Sequence, residues 1–96
     1  MAESGDAAAF RERLHVIDGT LDALNRLDAV NAAVRTCSDR KAAMQTLLGS
    51  PFNYTEVVAN HVLDLTVGKQ TQKFIEGLHQ ERRTVAEKLE ALRGSD

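Results

Sequence analysis

Two histidine–aspartate pairs are the first residues of this sequence that could do chemistry. His61 and Asp64 lie three positions apart, and so do His15 and Asp18. On a helix that spacing puts both side chains on one face, where a carboxylate can orient an imidazole for general-base catalysis. Neither pair has a third group beside it, so we favour polar pairs on a surface or interface. We predict no catalytic residue.

A lone thiol is the next reactive group. Cys37 is the only cysteine of the chain, which excludes an internal disulfide and a cysteine-based metal cage. It falls on the apolar side of a predicted helix, so we interpret it as a small buried core residue rather than a reactive thiol. We predict no metal site and no cofactor.

Acidic residues slightly outnumber basic ones. The chain has 12 Lys and Arg against 14 Asp and Glu, and a formal net charge of −2. Binding to nucleic acid through phosphate neutralisation needs a basic excess or a basic face. Four basic residues late in the chain interleave with glutamates, which favours ion pairs on a helix surface: Lys69, Lys73, Arg82 and Arg83. We therefore predict that direct DNA binding is weak or absent.

Length and hydropathy limit the class of protein. The 96 residues predict a single domain. The sequence has no apolar run long enough to cross a membrane, and no signal peptide in which a charged segment precedes an apolar one. We expect a cytoplasmic protein that does not bind membranes.

The elements that position these residues are predicted to be helices only. Aromatic residues make up 4% of the chain, and the apolar residues are mostly Ala, Val and Leu, which suits helix packing. Near each end, apolar residues recur with the spacing of a coiled-coil seam: Phe10, Leu14, Ile17, Leu21 and Leu24 in the first helix, and Leu78, Val85, Leu89 and Leu92 in the last.

Three short helices are predicted between these two seams. Asp28, then Ser38 or Asp39, and then Thr55 are the expected N-caps, and Gly49 is the expected stop of the middle helix. The first and last helices then pair as an antiparallel two-helix stalk with a small three-helix tip. The predicted division is a disordered lead at 1–6, a first arm at 7–27, the tip at 28–68 and a second arm at 69–93.

A set of apolar residues on and after the fourth helix has two interpretations. A tip of three short helices offers these side chains little to pack against, so core and dimer interface are equally supported by the residues alone. The set is Val58, Val62, Leu65 and Val67.

Two stretches carry a resemblance to a known family. Residues 14–35 contain His15-Val16-Ile17-Asp18-Gly19, Ala23-Leu24, Leu27-Asp28 and Val34-Arg35. Residues 52–65 contain Phe52-Asn53-Tyr54-Thr55-Glu56 and Val62-Leu63-Asp64-Leu65. Together they resemble the segment of bacterial DNA gyrase and topoisomerase IV A subunits that holds the end of the coiled-coil arm and its small dimerising tip, the C-gate.

The resemblance implies a stand-alone, non-catalytic homodimer that acts as an adaptor or modulator of a type II topoisomerase. It places the two-fold contact at the apolar set Val58, Val62, Leu65 and Val67, and it makes gyrase or topoisomerase subunits candidate partners. The family cleaves DNA with a tyrosine that follows an arginine in a winged-helix domain. Tyr54 is the only tyrosine here and follows Asn53, and the sequence has no acidic metal site or ATPase domain.

A small helical enzyme is the alternative. The opening of the first helix, Phe10-Arg11-Glu12-Arg13-Leu14, also resembles the first helix of the all-helical chorismate mutases, which are intertwined dimers. That resemblance implies a dicarboxylate bound by basic residues, with Arg11, Arg26 and Lys41 as the counterparts. Against it, the break predicted at Asp28 makes the first helix too short.

Overall fold

The computed structural model describes residues 5–65 and 67–94. These residues form five α-helices and one 3-10 helix, with no strand among them, which confirms the all-α prediction. The helices are α1 (Gly5–Asn25), α2 (Leu27–Arg35), α3 (Arg40–Leu48), α4 (Glu56–Leu63) and α5 (Gln72–Gly94), and Val67–Gln70 forms the 3-10 segment. Positions 1–4 of the predicted lead lie outside the described residues, whereas positions 5 and 6 already belong to α1.

Helices α1 and α5 lie side by side and run antiparallel. Near the start of α1, the Lys88 ammonium lies 5.9 Å from the centre of the Phe10 ring, so this end of α1 meets the later part of α5. Further along α1, Ile17 and Leu21 cluster with Leu78. At 1.5 Å per residue, α5 is about 34 Å long. The pair makes the molecule elongated, with extents of 49 × 31 × 18 Å.

The apolar interior is divided into two clusters. The stalk cluster lies between α1 and α5 and is built on Ile17, Leu21 and Leu78, with Leu24, Phe74 and Ile75 packed against it. The tip cluster lies among α1 to α4 and the loop before α4. Its buried members are Ala23, Val30, Leu47, Phe52, Tyr54, Val58, Ala59 and Val62. Helix α1 contributes to both clusters, so it connects the stalk to the tip.

Local capping explains three helix boundaries, the two ends of α3 and the start of α4. The Asp39 carboxylate accepts a hydrogen bond from the Ala42 amide at 2.9 Å, and the Thr55 hydroxyl accepts one from the Val58 amide at 3.4 Å. Each of these hydrogen bonds satisfies a backbone amide in the first turn of a helix, where the amide has no acceptor within the helix itself. Gly49 is the C-cap of α3. These three predictions are confirmed.

The predicted cap at Asp28 is wrong. Helix α2 begins at Leu27, so Asp28 lies inside its first turn, where its charge favours the positive end of the helix dipole. The N-cap is Arg26, which has φ −130° and ψ 41° and makes no side-chain capping bond. Its side chain turns back to other partners, described below.

A glycine lets α1 and α4 approach closely. A Cβ atom built on Gly19 would lie 2.5 and 2.7 Å from the two γ-methyl carbons of Val58. Val58 is almost fully buried and β-branched, so its side chain has little freedom to move away. The close packing of α4 on α1 therefore depends on the missing side chain at position 19.

No helix in the described part of the chain is both long enough and apolar enough to cross a membrane.

Candidate interaction surface

Two of the four predicted interface residues belong to the interior of the chain itself. Val58 is 1% exposed and Val62 is 5% exposed, and both lie in the tip cluster. The expectation that a second copy covers them is corrected by this burial, because Phe52, Tyr54 and Leu47 fill the tip beside them. Part of the predicted apolar surface therefore does not exist as a surface.

The other two residues remain accessible after α4 ends. Leu65 is half-buried, and Val67 is 83% exposed at the start of the 3-10 segment. Val57 is the second large apolar residue with high exposure, at 42%. Accessible apolar side chains therefore lie at Val57, at Val67 and, in part, at Leu65.

A polar and aromatic cluster holds the loop before α4 against the end of α1. The Tyr54 hydroxyl donates to the Asp22 carboxylate at 2.7 Å, and the Arg26 Nε donates to the same carboxylate oxygen at 2.9 Å. The Arg26 guanidinium lies 5.1 Å from the Phe52 ring centre and 5.5 Å from that of Tyr54, within the range of a cation–π contact. Arg26 is therefore a structural residue that links two parts of the tip.

This cluster also affects the protonation of Tyr54, the only tyrosine of the chain. Burial, reinforced by the hydrogen bond to Asp22, raises the pKa of Tyr54 above its ordinary value. The hydroxyl is thus held protonated and directed at a carboxylate. A protonated phenol is a poor nucleophile, and the hydrogen-bond acceptor of this one is the Asp22 carboxylate.

Neither histidine–aspartate pair forms. The His61 Nδ1 is 2.9 Å from the Val57 carbonyl oxygen, whereas Asp64 accepts a hydrogen bond from Arg40 at 3.0 Å. The His15 Nε2 is 2.8 Å from the Thr55 hydroxyl. Asp18 pairs with Arg82 across the stalk. In each predicted pair, the histidine and the aspartate therefore contact other groups and not each other.

Ion pairs connect the two helices of the stalk. Arg13 donates from Nε and Nη2 to the two carboxylate oxygens of Glu81 at 2.6 and 2.8 Å, which is a bidentate pair. These hydrogen bonds lower the pKa of Glu81 and raise that of Arg13. Together with Arg82 and Asp18, the pair shows that charged side chains of α5 bond to α1 rather than only along their own helix.

An open groove of about 690 Å³ lies where α1, the end of α4, the 3-10 segment and α5 meet. Its apolar lining includes Val16, Ile17, Leu65, Phe74 and Leu78, and its polar lining includes Arg13, Thr20, His61, Lys69, Thr71, Lys73 and Glu81. Gly77 also lines it, and a Cβ atom there would meet no atom within 4 Å. No local sequence pattern marks this groove, because its walls come from four separate elements.

Cys37 is half-buried rather than fully buried. Its Sγ lies 3.5 Å from the Ala33 carbonyl oxygen and 3.4 Å from the Thr46 hydroxyl, so the thiol bridges α2 and α3. Among the described residues, no three His, Cys, Asp or Glu side chains are grouped as a metal ion would require.

The structure does not support the chorismate mutase alternative. None of Arg11, Arg26 and Lys41 lines the groove. Arg26 is instead engaged with Asp22 and the two tip aromatics, as described above.

Comparison with known proteins finds relatives over most of this chain. The A subunit of topoisomerase IV from Bacillus subtilis is 30% identical over 82 residues, which cover 85% of this chain and 10% of that subunit. The same subunit from Staphylococcus epidermidis is 32% identical over 87 residues, covering 91% of this chain and 10% of that subunit. The chain is a relative of the A subunits of DNA gyrase and topoisomerase IV.

Among gyrases, the A subunit from Haloquadratum walsbyi is 28% identical over 95 aligned positions, and the match covers 85% of this chain and 11% of that subunit. This topoisomerase relative thus spans about a tenth of the length of the proteins it matches. No profile of a known protein family matches the chain. The similarity confirms the resemblance expected from residues 14–35 and 52–65 and makes the chain a topoisomerase-related helical module.

Proposed function

We propose that this chain is a non-catalytic module of the C-gate type that associates with a second copy of itself and acts as an adaptor or modulator of a type II topoisomerase. One observation carries the proposal: Val67, a large apolar residue at the start of the 3-10 segment, is 83% exposed, and Leu65, two positions before it, is half-buried. The relationship to gyrase and topoisomerase IV A subunits supports the same assignment.

The remaining surface limits how tightly two copies associate. Burying a Val or Leu side chain contributes roughly 1.5–3 kcal/mol, and association costs several kcal/mol. With Val58 and Val62 already inside the tip, Val67 and part of Leu65 are what each copy offers from the original set. A two-fold contact uses the same patch twice, so each residue counts on both sides. We therefore expect a dimer that dissociates on dilution.

Charge substitutions at three valines test this surface. Val67→Asp should abolish association while the melting temperature stays unchanged, because the side chain is exposed in one copy. Val57→Asp is the matched control, since it places the same charge on the other exposed valine. Val62→Asp should instead unfold the tip, because the charge would be buried without a partner. Association that survives Val67→Asp would remove the 3-10 segment from the proposed interface.

The non-catalytic part of the proposal has its own test. The purified chain, with or without ATP and magnesium, should neither nick nor relax supercoiled plasmid. If it modulates a topoisomerase, adding it to a gyrase or topoisomerase IV reaction should change the rate of relaxation, and Val67→Asp should reduce that change. Plasmid relaxation that tracks with the purified chain and disappears in Tyr54→Phe would contradict the proposal.

A further inference from the structure

The groove at the foot of the tip has the dimensions of a ligand site. Its volume of about 690 Å³ falls within the range of small-molecule pockets, roughly 300–1,000 Å³. Along α5 it extends from Lys73 to Glu81, eight residues or about 12 Å. Its floor is apolar and is formed by Val16 and Ile17 of α1 and by Phe74 and Leu78 of α5.

The two ends of the groove differ in charge. At one end the Arg13 guanidinium is neutralised by its bidentate bond to Glu81. At the other end, Lys69 and Lys73 are exposed, and neither forms an ion pair within residues 5–65 and 67–94. His61 also lines the groove, and its Nδ1 lies 2.9 Å from the Val57 carbonyl oxygen. The rim therefore presents two uncompensated positive charges beside an apolar floor.

We propose that this groove binds an amphipathic anion, with its carboxylate, sulfonate or phosphate group at Lys69 and Lys73 and its apolar chain or ring system along Ile17, Phe74 and Leu78. Charge-assisted hydrogen bonds from two ammonium groups fix the head group. Burial of the apolar part against the stalk supplies the rest of the affinity. The groove shares Leu65 with the proposed dimer contact, whereas Val67 does not line it.

Titration calorimetry with dodecanoate, below its micelle concentration, tests the assignment on the intact chain. We expect saturable binding of one dodecanoate per chain, and weaker binding by roughly fourfold for each methylene removed from the ligand. Dodecyltrimethylammonium, which has the same chain and the opposite charge, should not bind. Equal binding of the cation and the anion would overturn the proposal.

Charge variants locate the head group. The double variant Lys69→Glu with Lys73→Glu should weaken dodecanoate binding by roughly tenfold or more for each lysine, because each charge-assisted bond is replaced by repulsion. Lys41→Glu with Lys88→Glu is the matched control, since both lysines are exposed, lie outside the groove and change the net charge equally. Loss of binding in the control pair as well would show a non-specific charge effect and overturn the site.

A groove-filling variant tests the apolar part without removing a core residue. Gly77 faces open space in the groove, so Gly77→Leu should occupy the floor, keep the helix and abolish binding, whereas Gly77→Ala should retain it. Far-ultraviolet circular dichroism checks the fold of each variant.

Dodecanoate binding that is unchanged in Gly77→Leu would contradict the proposal. If the Val67→Asp variant binds dodecanoate and the unmodified chain does not, a second copy occupies the groove in the unmodified protein. That result would also overturn the proposal.

Discussion

At the residue scale, two glycines in helices have opposite surroundings. A Cβ atom at Gly19 would lie 2.5 Å from a methyl carbon of buried Val58, whereas one at Gly77 would have no neighbour within 4 Å. Both are helical, so both lose the same backbone entropy relative to alanine. The difference between them is packing alone.

The matched substitutions Gly19→Ala and Gly77→Ala should therefore separate packing from helix propensity. Gly77→Ala should stabilise the chain by about 0.5–1 kcal/mol. Gly19→Ala gains the same propensity but overpacks α4 against α1, at a cost of typically 1–3 kcal/mol. We expect it to be the less stable of the two by about that amount in urea unfolding. Equal stabilisation by both would contradict the close contact with Val58.

The Tyr54 hydroxyl gives a second prediction. Tyr54→Phe removes its hydrogen bond to Asp22 and should reduce the free energy of unfolding by about 0.5–1.5 kcal/mol. In a double-mutant cycle, Asp22→Asn should cost less in the Tyr54→Phe background than in the unmodified chain. Additive effects of the two substitutions would show that the two side chains do not interact.

What the sequence could and could not predict at this scale depends on the distance between interacting residues. The caps at Asp39 and Thr55 act within three residues, so they could be read from the local sequence. The break before α2 could not be placed, because Arg26 bonds to Tyr54, 28 positions away. The histidine–aspartate pairs were disfavoured for lack of a third group, and their actual partners lie on other elements or on the backbone.

At the scale of elements, the heptad spacing predicted that the first and last helices pair, and residues of α1 and α5 cluster together in the structure. The seam residues Ile17, Leu21, Leu78 and Val85 are buried, and Phe10, Leu14, Leu24, Leu89 and Leu92 are partly buried. The contents of the tip were harder to predict. Phe52 and Tyr54 lie in a loop outside any helical period, so no stripe marked them as core. Their omission made Val58 and Val62 look unpartnered.

The stalk ion pair predicts a pH dependence. The pKa of Glu81 is lowered in the folded chain, so its stabilising effect is present above the ordinary glutamate range, near 4.3, and is lost as the pH falls through the folded value. Both side chains are partly exposed, so we expect Glu81→Gln to cost only about 0.5–1 kcal/mol at pH 7. The cost should vanish in acid.

The control for this prediction is Glu87→Gln, an exposed glutamate of α5 that has no ion pair among the described residues. Thermal unfolding from neutral to acidic pH compares the two variants with the unmodified chain. A cost of Glu81→Gln that stays constant across this range would contradict an ionised pair with Arg13.

At the scale of the whole molecule, the chain combines the antiparallel helices α1 and α5 with a tip cluster to which α1 also contributes. The family was accessible from sequence because two separated stretches carried the similarity together, and the two topoisomerase IV subunits match 85% and 91% of the chain. The groove and the true extent of exposed apolar surface were not accessible, because both depend on which side chains the tip encloses.

Association of two copies is the central claim, and the molar mass in solution tests it most directly. Light scattering on the unmodified protein should give a value that rises from the 10.5 kDa of one chain toward twice that mass as the concentration increases through the micromolar range. The physical reason is the small self-complementary patch at Val67 and Leu65, which two copies bury together. A mass of one chain at every concentration would contradict the account.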